Sequence, residues 1–387
     1  MMDQEFKIDD LSATHFINCF DSFEDTRNKV KIHYSMSEVL FLVISSVVSG
    51  YETNRAIEDF GKIKLEWLRN YFPYVYGIPH HETIGNIIGI IDKQEFELAF
   101  IEWVNLEFGL KAQGLIHIDG KRIRSSVPRK LQEKKSNEGG KNAELILNAY
   151  GSSDGKVIAQ INVSKSGDEQ EGAKRLIKQL DLKGKIITGD GNFCIKDILK
   201  KIRKKEGHYI MTLKRNNPIL YRLAEEYFED FPEQQEKYET KEIGHGRHEL
   251  RSYSCLNKLV SPHHKFLEYH GLLKLIRVER IRNEIRTDKF SNEVRYYITS
   301  LDKNIEFLAK SIRSHWSIEN NLHWVLDVEF KEDACRKRTG NQASNFSLIR
   351  KIAFNLINEK KGKKSINAVR MACALSDSER QNILGIP

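Results

Sequence analysis

The sequence predicts an α/β protein in which a mixed β-sheet is covered by helices, and three observations point to that class. Residues 1–110 place apolar side chains at helical spacing, whereas residues 114–216 switch to short apolar runs that are typical of strands. Those runs alternate with amphipathic helical segments, as expected of a sheet with helices on its faces. With 387 residues, 40% of them hydrophobic and 30% charged, the chain is long enough for two or three globular domains.

The first region, residues 1–110, is predicted to form a helical domain. Ser37 is expected to cap a helix that runs through EVLFLVISSVV, and Gly50 is expected to end it. The segment NRAIEDFGKIKLEWLRNYF continues the helical spacing, and one or two more helices follow Pro79. The longest apolar run, VLFLVISSVV, is too short to span a bilayer and fits a buried helix.

Residues 111–216 and 293–340 are predicted to form the sheet-containing core. The segment GLIHIDGKRIRSS begins as a short strand that ends at Asp119, and two further strands flank the turn pair Asp154–Gly155. A helix then leads to a buried strand that ends at Asp190, and another helix leads to a fifth strand, HYIMTLKRN. Three consecutive strands followed by helix, strand, helix and strand predict a mixed sheet.

Two further regions complete the predicted organisation. Residues 217–292 are rich in β-branched and aromatic residues, and LIRVERIRNEIR alternates charged with apolar side chains. This pattern predicts a β-rich insertion with a half-exposed basic face. Residues 341–387 are predicted to form a helical, basic C-terminal segment.

The charge is distributed unevenly along the chain. The formal net charge is +8, but residues 1–110 contain 9 Lys and Arg against 18 Asp and Glu, so they carry −9 and the remainder carries +17. A basic body behind an acidic head is typical of a protein that binds a polyanion, most commonly nucleic acid. A solvated basic surface without a partner is the alternative. We expect any DNA contact in the head to be confined to a small face near Lys62, Lys64 and Arg69.

Cysteine usage and the start of the sequence bear on the compartment. Five cysteines are scattered singly without a CxxC pair, which supports neither a zinc ribbon nor a disulfide framework. No basic-then-apolar leader opens the sequence. We therefore expect a cytoplasmic protein with no membrane partner.

Three acidic residues stand where separate elements would present them to one site. Asp119 and Asp190 end predicted strands, where side chains leave a sheet for ligands, and Glu319 lies on a helix after the insertion. Three carboxylates suit Mg²⁺ or Mn²⁺, and two such ions could activate a nucleophile at a phosphodiester. Asp–Gly turns and a surface Glu–His pair are the structural alternatives. Basic flanks favour phosphate chemistry, so we predict DNA contacts from Lys121, Arg122, Arg124, Lys214, Arg313 and His315.

The segment HWSIENNLHWVLDV, residues 315–328, is predicted to form a helix whose buried side contains Trp316, Leu322, Val325 and Leu326. Glu319, His323 and Asp327 stand four residues apart along one edge of this helix. His323 is expected to orient Glu319 rather than to bind metal, because Mg²⁺ prefers oxygen ligands. The role of Asp327 stays open.

Several segments of the chain resemble one known family. The sequences IHIDGKRIRSS, LDLKGKIITGDG, HYIMTLKRNNPILY, YYITSL and above all IRSHWSIENNLHWVLDVEFKEDACRKRTGNQASNFSLIRKIAFNLI are similar to insertion-sequence transposases of the ISAs type, also called H-repeat-associated proteins. The N-terminal segments resemble that family's associated domain, so the resemblance covers nearly the whole chain. It implies a DDE transposase with a ribonuclease-H-like core and a β-rich insertion before the Glu helix.

The resemblance also implies a site, cofactors and partners. Asp119, Asp190 and Glu319 match the three family acids, which would hold two divalent ions. The partners would be the terminal repeats of the transposon and target DNA in the bacterial nucleoid, bound by a homodimer. Among the departures from the family, His315 replaces an arginine and Gly191 an alanine. The alternatives are a catalytically inactive, transposase-derived DNA-binding protein and a metal-dependent endonuclease of the same fold.

Overall fold

The centre of the protein is one nine-stranded mixed β-sheet with helices packed on it, which confirms the predicted α/β class. Within the described residues, no helix is long and apolar enough to cross a membrane. The structure, a computed structural model, describes residues 25, 27, 32–109, 114–126, 143–163, 169–244, 246–257, 263–285 and 289–387.

The described part of the head is helical. Ser35, not Ser37, caps the first helix: its hydroxyl accepts from the backbone N–H of Glu38, and the Glu38 carboxylate accepts from the backbone N–H of Ser35. Every residue of this helix is buried, which explains its unbroken apolar run, and Gly50 follows its end as predicted. The head helices are α1 Met36–Val48, α2 Asn54–Ile63, α3 Leu65–Leu68, α4 His81–Ile90 and α5 Lys93–Phe108.

The first part of the sheet contains five strands, which two helices connect. They are β1 Leu115–Ile123, β2 Glu144–Gly151, β3 Lys156–Val163, α6 Glu169–Gln179, β4 Ile186–Gly189, α7 Lys196–Lys204 and β5 His208–Leu213. Their spatial order is β3-β2-β1-β4-β5, in which the first three strands are antiparallel and β4 and β5 run parallel to β1. This is the ribonuclease-H-like arrangement that the resemblance implied. Strand β1 does not end at Asp119, because its pairing with β2 continues to Ile123.

The next elements extend the same sheet instead of forming a separate one. These elements are α8 Pro218–Asp230, β6 Gln235–Gly244, β7 Arg247–Leu256, α9 His264–Leu267, β8 Lys274–Glu284 and β9 Phe290–Thr299. Strand β9 pairs antiparallel with β5, and β8, β7 and β6 follow it in turn toward the edge of the sheet. The strands of the predicted insertion therefore belong to the same sheet as the core strands, and the insertion also contains helix α8.

The head and the C-terminal helices share one hydrophobic core. The last elements are α10 Ile305–Ser314, a π-helical turn Ile318–His323, α11 Trp324–Val328, α12 Gln342–Lys360, α13 Ile366–Leu375 and α14 Asp377–Leu384. Buried residues of α1, α4 and α5 pack in the same cluster as those of α12, α13 and α14. The cluster also contains Ile318, Leu322, Leu326 and Phe330, so the head supports the segment that carries Glu319.

Candidate functional site

Asp119, Asp190 and Glu319 all line one cavity of about 630 Å³. Asp119 lies within β1, and Asp190 directly follows β4. The parallel register pairs Ile118 with Gly189, so the two aspartates occupy the next position on adjacent strands. Glu319 reaches the cavity from the π-helical turn. Three elements that are distant in sequence thus present carboxylates to one space.

The acids influence one another electrostatically. Burial, together with the negative charges of Glu319, Asp190 and Glu169, raises the pKa of Asp119 to about 7, against a hydrogen bond from the Gly120 N–H. Glu169, at the start of α6, is a fourth carboxylate that the sequence analysis did not single out. Among the described residues, the ligand-type trio with all three atoms within 4.8 Å of one another lies in the head, so at least one pair of the three predicted acids is farther apart than that.

Lys214 occupies the Asp190 side of the cavity. Its ammonium lies 2.6 Å from Asp190 Oδ2, so this carboxylate is paired with a cation. The path of the Lys214 side chain depends on Gly191, because a Cβ there would lie 2.7 Å from Lys214 Cγ. Gly191 therefore has a steric role at the cavity.

The Glu319 segment contains a π-helical turn, and its tryptophans face outward. Trp316 is 37% exposed and Trp324 is 56% exposed, so the prediction that Trp316 is buried is wrong. The i→i+5 hydrogen bonding of Ile318–His323 takes in one extra residue and shifts the phase of the helical pattern at this point. The buried side consists of Ile318, Leu322, Leu326 and Phe330.

His323 faces Asp119 instead of Glu319. Its Nδ1 lies 3.5 Å from Asp119 Oδ2, and its Nε2 lies 3.3 Å from Asn148 Nδ2. Burial, with a smaller effect of Lys121, lowers the pKa of His323 to about 3, so the ring is neutral at pH 7. The expectation that His323 orients Glu319 is wrong, because the two ring nitrogens of His323 lie against Asp119 and Asn148.

Lys121 is buried and ion-paired rather than exposed to DNA. Its ammonium donates to Asp327 and, at 3.0 Å, to Glu332, while Asp333 lies at 3.5 Å. Burial acts to lower the pKa of Lys121, but Glu332 and Asp327 outweigh it and the pKa is raised. Because these acids already neutralise the cation, we remove Lys121 from the predicted DNA contacts. Its partner is Asp327, whose role the sequence left open.

The other predicted DNA contacts divide into two groups. Lys214 and His315 line the cavity beside the acids. Arg122, Arg124 and Arg313 lie outside its lining. Arg124, 85% exposed, and Arg313 pair with acidic side chains at 3.2 Å and 3.3 Å. The structure thus brings two of the six predicted basic side chains to the acids.

A polar layer that the sequence analysis missed lies next to the acids. Thr188 Oγ1 lies 2.6 Å from His117 Nδ1 and 2.7 Å from His315 Nδ1. Burial lowers the pKa of His117 to about 3 and that of His315 to about 4, so both rings are neutral at pH 7. The available signal was spacing: His117 and Thr188 each stand two residues before a site aspartate, and His315 stands four before Glu319.

An arginine groove adjoins the cavity on strands β7, β8 and β9. Arg295 and Trp316 line both spaces, so the groove is continuous with the acid site. Glutamates pair with several of these guanidinium groups, for example Glu293 with Arg295 at 2.6 Å. We define the arginine groove by Arg247, Arg251, Arg280, Arg282 and Arg295 on these strands and by Arg313 on α10.

The trio of ligand-type side chains in the head has a structural explanation. One atom each of Glu58, His80 and His81 lies within 4.8 Å of the others. The Glu58 carboxylate already accepts from Lys62 at 2.5 Å and from the backbone N–H of His81 at 2.9 Å, where α4 begins. These contacts describe a side-chain cap with an ion pair, and we assign no metal to them.

Fold and site together define an α/β protein with an acid-lined cavity at adjacent parallel strands, and comparisons with known proteins give its family. The model of the transposase DDE domain matches residues 111–356, and the DDE_Tnp_1-associated model matches residues 17–104. A relative named "Putative transposase YncI" of Escherichia coli O157:H7 is 34% identical over 97% of this chain and 95% of its own. "H repeat-associated putative transposase YhhI" of Escherichia coli K12 is 36% identical over 87% of this chain and 88% of its own.

The chain therefore belongs to the DDE transposases of insertion sequences. Among solved structures, a piggyBac transposase synaptic complex with hairpin DNA aligns with 98% of this chain and 80% of that chain, at 10% identity and a TM-score of 0.45. The family assignment rests on the sequence matches alone.

Proposed function

We propose that this protein cleaves DNA at the ends of an insertion sequence and joins those ends to target DNA, using divalent metal ions held by Asp119, Asp190 and Glu319. The observation that carries the proposal is the meeting of three carboxylates from β1, β4 and the π-helical turn at one cavity. Membership of the DDE transposase family supports the same reaction class.

The residues of the cavity fit Mg²⁺ or Mn²⁺. Hard divalent cations prefer carboxylate oxygens, which Asp119, Asp190 and Glu319 offer, whereas the remaining acid of the cavity lining, Glu293, pairs with Arg295. The neighbouring His323 is held by Asp119 and Asn148. Two bound ions would polarise the attacking and leaving oxygens of a phosphodiester.

The basic side chains around the cavity would bind the DNA backbone. Lys214 pairs with one oxygen of Asp190, so a cation bound by that carboxylate would weaken this ion pair and make the ammonium available to a phosphate. The arginine groove leads away from the acids and would carry the same strand across β9, β8 and β7. Because transposition holds two element ends together, we propose that the protein acts on DNA as a homodimer, which sedimentation of the DNA complex would test.

A cleavage assay on DNA that contains the gene's flanking sequences tests the proposed reaction. We expect nicking with Mg²⁺ or Mn²⁺, and its loss by more than about 100-fold in Asp119→Asn and Glu319→Gln, since a catalytic metal contributes several kcal/mol. Thermal unfolding should stay near that of the wild type. Glu306→Gln, an exposed acid on α10, is the matched control and should cleave normally.

Three outcomes of that assay would overturn parts of the proposal. Full cleavage by both Asp119→Asn and Glu319→Gln would exclude these residues as ligands. DNA binding without cleavage under either metal would identify an inactive, transposase-derived DNA-binding protein. Cleavage without any joined product would identify an endonuclease.

A further inference from the structure

The hydroxyl of Thr188 connects two histidines from different elements next to the acids. His117 on β1 and Thr188 on β4 are paired in the parallel register, one step before Asp119 and Asp190 on the same face of the sheet. His315, which follows α10, approaches Thr188 from the helical side. All three side chains therefore support elements that carry an acid of the site.

Counting hydrogens shows that the two rings cannot play the same part. A threonine hydroxyl has one hydrogen to donate, and Thr188 Oγ1 contacts Nδ1 of His117 at 2.6 Å and Nδ1 of His315 at 2.7 Å. Both Nδ1 atoms could donate to the two lone pairs of Thr188 Oγ1, but the hydroxyl hydrogen would then have no acceptor among the described residues. One Nδ1 therefore carries a hydrogen and donates to Thr188, while the other accepts from it. The protonated nitrogen of each ring is then fixed by the direction of this relay.

Two observations set the direction of the relay. His117 Nε2 is buried and has no hydrogen-bond partner in the described part of the chain. A buried N–H group without a partner is rarer than a buried acceptor atom without one, so the tautomer of His117 with its hydrogen on Nδ1 is favoured. His315 lines the cavity of the three acids, where a ring N–H is stabilised and a ring lone pair is repelled. Both observations give the order His117 to Thr188 to His315.

We propose that His117 and Thr188 hold His315 as a neutral imidazole whose Nε2–H donates into the acid cavity, where it binds a phosphate oxygen of the DNA strand. The second half of this inference rests on the proposed function. His315 is then a substrate-binding residue, and His117 and Thr188 are positioning residues. A neutral donor can bind a phosphate oxygen without forming an ion pair with the nearby carboxylates.

Nitrogen-15 NMR of the histidine rings in the free protein tests the relay without any need for activity. We expect the His315 signals, identified by their loss in His315→Gln, to show the Nε2–H tautomer at pH 7.5. Thr188→Ser keeps the hydroxyl and should preserve that tautomer, whereas Thr188→Val should shift the ratio of tautomers toward Nδ1–H, because only the cavity acids then favour Nε2–H. An Nδ1–H tautomer of His315 in the wild type, or an unchanged tautomer in Thr188→Val, would overturn the relay.

A second pair of variants keeps the test decisive if Thr188→Val does not fold. Asparagine in place of His117 can offer an amide N–H near the position of Nδ1, and leucine cannot. His117→Asn should therefore preserve the His315 tautomer, and His117→Leu should not. The same tautomer in both would also exclude the relay.

The DNA cleavage rates of two His315 variants test the phosphate contact separately. Glutamine can place an N–H near the position of Nε2, whereas asparagine is too short. We expect His315→Asn to lower the cleavage rate by about 10- to 100-fold, as for loss of one hydrogen bond to a charged group, and His315→Gln to recover part of it. Equal rates for both variants would exclude the phosphate contact, and absence of cleavage in the wild type would refute the proposed function while leaving the relay result intact.

Discussion

At the scale of single residues, the buried cation Lys121 joins the strand of Asp119 to the helix that follows Glu319. It donates to Asp327 and Glu332, and Glu332 is only 1% exposed. Removal of one partner from a buried ion network leaves uncompensated charge, so Lys121→Met should lower the free energy of unfolding by about 3 kcal/mol or more. Urea unfolding followed by circular dichroism measures the change.

Arg124→Met is the matched control for that substitution. Arg124 follows the same strand and pairs with Asp333, as Lys121 does, but it is 85% exposed. An exposed ion pair contributes little, so this variant should change stability by less than about 0.5 kcal/mol. Equal losses of unfolding free energy in the two variants would show that the buried ion pairs of Lys121 stabilise the protein no more than the exposed pair of Arg124.

Glu97 on α5 makes the stability of the contact between the head and the sheet depend on pH. It accepts a hydrogen bond from the Asn162 N–H on β3, and burial raises its pKa from 4.5 to about 7. Between these values the folded protein binds the proton more tightly than the unfolded chain. The stabilising contribution is therefore complete below about pH 4.5 and is lost as pH rises through about 7.

The variant Glu97→Gln should remove this dependence. We expect the wild type to lose stability relative to Glu97→Gln as pH rises from about 5 to about 8, measured by urea unfolding at each pH. Glu95→Gln, an exposed acid on the same helix, is the control and should follow the wild type. A difference between the wild type and Glu97→Gln that does not change with pH would contradict the prediction.

At the scale of elements, the sequence predicted which segments form strands better than it predicted their ends. AELILNAY and KVIAQINV were recognisable because β2 and β3 are buried along their whole length. The continuation of β1 beyond Asp119 depends on a partner strand, which local pattern does not reveal. The π-helical turn was also hidden, because apolar residues four apart fit an ordinary helix equally well.

The phase of the Glu319 helix gives a prediction at this scale. Leu322 is fully buried in the core shared with the head, whereas Trp324 is 56% exposed. Leu322→Ala should cost about 2–5 kcal/mol through reduced burial and a cavity, and Trp324→Ala should cost less than about 1 kcal/mol. Chemical unfolding measures both costs. A larger cost for Trp324→Ala would show that the side of the helix with the tryptophans, and not the side with Leu322, packs in the core.

At the scale of the whole molecule, the part of the site that could be predicted from the sequence was the part with local sequence signals. Asp119, Asp190 and Glu319 could be proposed because each stands beside a recognisable strand or helix. The pair Lys121–Asp327 and the His117–Thr188–His315 relay could not, because their members meet only after distant segments pack together. The core shared by head and C-terminal helices was hidden for the same reason.

This shared core also decides how the acidic head should be tested for DNA binding. Deleting residues 1–110 would expose apolar surface of α12 and of the Glu319 segment, so a truncated chain would report on folding instead of charge. Surface substitutions avoid this problem. The head cations Lys62, Lys64 and Arg69 each pair with an acidic side chain, which leaves little free charge for phosphates.

We therefore expect the basic body to set the salt dependence of nonspecific DNA binding. Replacing Lys214, Arg215 and Arg295, which line the cavity, with glutamine should reduce the slope of log K against log salt by about 0.9 for each phosphate that the protein no longer neutralises. The same replacement of Lys62, Lys64 and Arg69 should leave the slope unchanged. Fluorescence anisotropy of labelled duplex DNA at several KCl concentrations measures both slopes, after thermal unfolding has shown that the two variants are folded. If the head substitutions flatten the slope more than the cavity substitutions do, the acidic head binds DNA through those three cations despite its net charge.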